Sequence, residues 1–163
     1  SSVACGATRR STTRGFDSSR RPAPTSSAGP GPEAIVLPLA NAPAWIVASV
    51  LLIVGVLYVS LAPLAVPADL PTNFDKIEHA VAYVFLALWF TGLVARPRYW
   101  LVVVALVILG LAIEFLQAAM PFGRQGDPWD VVANVAGSGI GILLARRLTG
   151  GWALRAEAWL SRN

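Results

Sequence analysis

The chain has 163 residues, of which 55% are hydrophobic and 13% charged, with a mean hydropathy of +0.60 and a formal net charge of +4. That composition excludes an ordinary soluble enzyme and leaves room for one helical membrane unit without a separate soluble domain. The positive balance does not indicate nucleic acid, because the arginines are distributed as the positive-inside rule requires. The single cysteine, Cys5, permits no internal disulfide.

Residues 1–43 are rich in Ser, Thr, Pro, Gly and Arg and lack apolar periodicity, which predicts a disordered N-terminal tail. Four apolar stretches follow, each near the length of roughly 20 residues at which a helix crosses hydrocarbon. They run from Ala44 to Leu64, Ile77 to Val94, Tyr99 to Met120 and Val131 to Leu148. The expected fold is all-α: a polytopic membrane protein whose four-transmembrane-helix bundle occupies 44–148, followed by a short tail over 149–163. The first stretch is longer than the apolar core of a signal peptide, so it is expected to stay as an anchor.

Charge sets the expected orientation. Arg9, Arg10, Arg14, Arg20 and Arg21 precede the first span, Arg96 and Arg98 join the second to the third, and Arg146, Arg147, Arg155 and Arg162 follow the fourth. The other two links are acidic on balance, with Asp69 and Asp75 against Lys76, and Asp127 and Asp130 against Arg124. Both termini are therefore expected in the cytoplasm of a cell whose plasma or inner membrane the chain crosses, with the polar ends of spans two, three and four on the outer face.

The polar residues of those spans fall at helical spacing. Asp75, His79 and Tyr83 are related i, i+4, i+8 and share one face, Glu114 and Gln117 are related i, i+3, and Asp130, Asn134 and Ser138 form a third row. Three such rows at the same end of three helices can converge on one pocket. Plain structural readings exist for several of them. Asp127 before Pro128 is a helix N-cap, Asp130 suits the first turn, Tyr83 suits an interfacial aromatic, and His79 suits helix packing. Glu114 is harder to account for, because no cap needs a carboxylate inside an apolar helix; its structural reading is a buried pair with Lys76 or Arg124. Ala133, Gly137, Gly141 and Ala145 place small residues every four positions, which makes a flat ridge for close helix packing.

From about Tyr58 to Arg146 the sequence resembles the VanZ-like membrane proteins. The resemblance rests on Asp75-Lys76-x-x-His79 with Tyr83 following, on Glu114-x-x-Gln117, and then on Pro121, Arg124, Asp130, Asn134, Gly137 and Gly141 in order. It implies a small multi-spanning helical protein with a role in the cell envelope or in resistance to glycopeptides such as teicoplanin.

Three function classes remain open on this basis. The leading one is an outward-facing pocket for an amphiphile, a membrane lipid or a lipid-linked envelope molecule, in which Lys76 and Arg124 meet an anionic head group while Glu114 and Asp130 orient hydroxyl or amide donors. The second is an intramembrane enzyme using His79 with Asp75, Glu114 and Asp130 as general acid and base or as metal ligands. The spacing reproduces no metal signature such as HExxH and no Ser or Cys accompanies the histidine, so no metal and no cofactor is assigned from sequence. The third is a structural subunit that assembles with itself or with a membrane partner.

Overall fold

The computed structural model describes residues 34–62, 74–120 and 127–162. Its elements are α1 (Ala42–Leu61), α2 (Phe74–Leu93), a short 3-10 turn (Arg96–Arg98), α3 (Tyr99–Ala119), α4 (Pro128–Leu144) with a wider π turn over Ala145–Thr149, and α5 (Trp152–Leu160). Among the described residues, three helical segments are long and apolar enough to cross a membrane: Ala42–Leu61, Arg96–Ala119 and Pro128–Thr149. α2 has 20 residues as well, but its first two turns carry Asp75, Lys76, Glu78 and His79. Helices α2 and α4 start earlier than their apolar stretches, at Phe74 and Pro128, because their polar leading turns are themselves helical.

α2 and α4 form the most extensive helix pair. Gly137 lies against the Ala80 carbonyl, and a Cβ at Gly141 would sit 2.6 Å from Ala87 Cβ and 2.8 Å from Val84 O. The absent side chains let the two backbones approach closely, which is how helices associate where lipid removes the hydrophobic drive between them. Ala145 is fully buried on the same row, and Ala133 is half-buried. Around this pair Tyr83, Leu86, Ala87, Tyr99, Val102, Leu106, Ile142 and Ala145 form the core.

The outside of the bundle is apolar. Ile77, Val81 and Phe85 of α2, Ile108, Leu111 and Phe115 of α3, and Val132, Ile140 and Leu143 of α4 are exposed, whereas His79, Glu114, Gln117, Asp130, Asn134 and Ser138 are buried. This inverts the usual pattern of a water-soluble domain and suits a hydrocarbon surround. α1 buries none of its residues and lies at the periphery, joined by Leu52, Ile53 and Val56 to the core and by a bond from Trp89 Nε1 to Ser49 Oγ at 3.0 Å.

Two expected tails are corrected in part. The apolar run Ala34-Ile35-Val36-Leu37, counted above in the N-terminal tail, is an extended strap across the end of α2: Leu37 N donates to Leu93 O and Ala95 N to Ile35 O, both at 2.9 Å. The rest of that tail, 1–33, lies outside the described residues. Residues 152–160, placed above in a C-terminal tail, are the helix α5. Gly150 N donates to Ala145 O at 2.7 Å to close the π turn, and Gly151 takes a left-handed conformation (φ +71°) that turns the chain back.

α5 is held through two of its side chains, Trp152 and Glu157. The Trp152 indole occupies the space where Gly92 has no side chain, and its Nε1 donates to Leu88 O at 2.9 Å. Trp152 also meets Trp45 and Trp89, with ring centroids 5.3 Å and 5.4 Å away. Glu157 then accepts from Ala40 N at 2.8 Å, Asn41 N at 2.8 Å and Trp45 Nε1 at 2.9 Å, so a carboxylate of α5 satisfies donors at the start of α1.

Candidate functional site

The polar rows of α2, α3 and α4 meet at one end of the bundle. α4 begins there with Asp127 as its N-cap, the side chain accepting from Trp129 N at 2.9 Å and Pro128 occupying the first turn. The plain reading of Asp127 is therefore present in the structure. Asp127 also receives Lys76 Nζ at 2.8 Å, and the ammonium lies 3.3 Å from Asp75 Oδ2 and 3.5 Å from Asp130 Oδ1. The bonds from Lys76 and from Trp129 N hold the Asp127 carboxyl below the usual carboxylate range.

Deeper in the bundle, His79 Nδ1 lies 3.1 Å from Asn134 Oδ1 and His79 Nε2 lies 3.5 Å from Asp130 Oδ2. The His79 ring is thereby held between the Asn134 carboxamide on one side and the Asp130 carboxylate on the other. Asn134 is set in place by the α2–α4 approach, one turn before Gly137 and Ser138, and Ser138 Oγ donates back to Asn134 O at 2.8 Å.

Glu114 comes in from α3. Its Oε2 accepts the backbone N–H of Asp127 at 2.8 Å, while Lys76 is engaged by the aspartates. Of the two cations considered for the plain structural reading of Glu114, Lys76 is not its partner, Arg124 lies outside the described residues, and the bond observed is from the Asp127 backbone. Gly110, one turn earlier on α3, leaves room opposite Tyr83 and Asn134: a Cβ there would lie 2.9 Å from Asn134 Nδ2 and 3.0 Å from Tyr83 Oη. Both of those atoms are buried and have no hydrogen-bond partner among the described residues.

Gln117 faces elsewhere. Its Nε2 donates to Ser60 O at 2.9 Å, so it ties α3 to the end of α1. Arg124 lies outside the described residues. His79, Glu114 and Asp130 each offer a metal-ligating atom, all within 4.8 Å of one another, and Asp75, Asp127 and Asp130 form a second, more open trio. Beside them a shallow groove is lined by Lys76, Ile77, Ala80, Val81 and Trp129. Sequence reasoning missed the roles of Gly110 and of the Asp127 backbone; a glycine one turn before an intramembrane carboxylate was the available signal.

These features define a multi-pass helical membrane protein with a buried polar cluster built from three helices. The profile of the VanZ/LLP1 family matches residues 40–149, most of the chain. The chain belongs to that family. No curated protein and no solved structure gives a significant match.

Proposed function

We propose that the polar end of the bundle binds the head group of an amphiphilic molecule of the cell envelope, with its hydrocarbon portion along the α2–α4 groove. One observation carries this reading: Lys76, whose ammonium pairs with Asp75, Asp127 and Asp130 of the polar end, also lines the apolar groove of Ile77, Ala80, Val81 and Trp129. An anionic head group would meet Lys76, and Arg124 from the link before α4, while the carboxylates accept from hydroxyl or amide donors. The arginine distribution supports a bacterial inner-membrane orientation with both termini cytoplasmic and this end outward. In that position a protein of this family would act on envelope lipids or on the lipid tail of a glycopeptide, which is the route by which resistance to teicoplanin would arise.

Photocrosslinking in lipid nanodiscs tests the reading. A photoreactive residue at Val81 or Trp129 should capture a polyprenyl diphosphate or an anionic phospholipid in preference to phosphatidylcholine, and one at Ile108, which does not line the groove, should show no preference. Lys76→Ala should reduce the preference more at low salt than at high salt. Equal capture of anionic and neutral lipid at Val81 and Trp129 would remove the proposal.

A further inference from the structure

Three helices direct one donor side chain each to a common point. His79 of α2, Glu114 of α3 and Asp130 of α4 are 9%, 9% and 5% exposed, and their donor atoms lie within 4.8 Å of one another. Donors held about 2.1 Å from one ion are at most about 4.2 Å apart, so small side-chain rotations bring all three onto a shared centre.

The described residues leave a buried carboxylate oxygen at this end without a positive partner. Glu114 Oε1 is sealed from solvent and has no hydrogen-bond partner among the described residues, and Asp130 Oδ1, equally sealed, has only the Lys76 ammonium at 3.5 Å. With Nδ1 beside Asn134 Oδ1 at 3.1 Å, the His79 ring directs Nε2 toward Asp130 Oδ2 at 3.5 Å, the side on which Glu114 also lies. Lys76 is not the partner of Glu114 Oε1. It is shared among Asp127 at 2.8 Å, Asp75 at 3.3 Å and Asp130 at 3.5 Å, and Glu114 adds another carboxylate to the same end.

We propose that His79 Nε2, Glu114 and Asp130 bind a divalent transition-metal cation of the zinc class, with Asn134 orienting the imidazole. An imidazole donor disfavours Mg²⁺ and Ca²⁺, which take oxygen ligands, while two carboxylates and one imidazole suit Zn²⁺ and its neighbours. A hydrogen bond to the remaining ring nitrogen is the usual device that fixes a metal-binding histidine, and Asn134 supplies it. Three protein ligands leave a coordination position open, through which the ion would polarise a phosphoryl or carbonyl oxygen. The site stands independently of the amphiphile reading, since it is assayed with no added lipid ligand.

The test uses the full chain carrying Cys5→Ser, purified in detergent, stripped with chelator, reloaded with Zn²⁺ or Co²⁺ and desalted. Metal content by mass spectrometry should approach one ion per chain, and the Co²⁺ form should show visible absorption of nitrogen and oxygen ligation. Glu114→Gln and Asp130→Asn, which nearly preserve shape, should each weaken affinity at least tenfold while circular dichroism and monodispersity stay unchanged. Lys76→Met should tighten it about threefold by removing a neighbouring positive charge. A folded chain that takes up less than a tenth of an ion, or uptake that is the same in the two carboxylate variants, would overturn the proposal.

Discussion

Glu114 Oε2 accepts the backbone N–H of Asp127 at 2.8 Å, so a carboxylate within α3 caps the start of α4. A hydrogen bond to a charged group contributes about 1.5–3 kcal/mol, and Glu114→Ala should lose about that much stability. Glu114→Gln keeps an acceptor in place and should lose less. Thermal unfolding in a fixed detergent measures both, and equal losses would show that the charge on Glu114 is not what matters.

Gly137 and Gly139 separate packing from helix propensity. Gly137 faces the Ala80 carbonyl, whereas a Cβ at Gly139 meets nothing within 4 Å. Gly137→Ala should therefore destabilise the protein by about 1–3 kcal/mol through overpacking. Gly139→Ala should be neutral or stabilise by up to about 1 kcal/mol, since alanine is the better helix former. Melting curves of the two variants in the same detergent should move in different directions.

The Trp152 indole fills the space over Gly92, so Gly92→Ala should displace α5. Tryptophan fluorescence should shift as Trp45, Trp89 and Trp152 separate, and limited proteolysis at Arg155 should quicken. Gly55→Ala, at a site with open space around it, should change neither.

Acid should release the same helix. Bonds from Asn41 N, Ala40 N and Trp45 Nε1 hold the Glu157 carboxyl below its ordinary value. A group whose folded pKa is depressed adds stability above its unfolded pKa, near 4.3 for Glu, and that stability is lost as pH falls through the folded value. Hydrogen exchange at Ala40 and Asn41 should accelerate on acidification below about pH 4. In Glu157→Gln it should be fast already at neutral pH, with little further dependence on acid.

The proposed orientation can be read from thiol accessibility. With Cys5→Ser and a single cysteine at Gly126, in the link between α3 and α4, a membrane-impermeant reagent should label intact cells. Labelling only after permeabilisation would reverse the orientation and move the search for a ligand to the cytoplasm.

The sequence by itself determined that the chain folds into apolar helices, which faces carry the polar rows, and where α4 is capped. These follow from composition, a period of 3.6 residues and the Asp127-Pro128 pair, all of which are local. Of the four spans expected, three are long and apolar enough to cross a membrane among the described residues, and the one over Ile77 to Val94 is not among them. The residues Gly137 and Gly141 also marked a close helix contact, but nothing local named α2 as the partner. Only the tertiary structure decided that Asn134 orients His79, that Glu114 bonds to the Asp127 backbone instead of Lys76, and that Gln117 turns to α1. The same holds for Ile35 and Leu37, bonded to the end of α2, and for Glu157 at the start of α1. Periodicity specifies the face of a helix on which a side chain lies; its partner depends on how closely and at what register two helices approach, and that is set by packing between residues far apart in the chain.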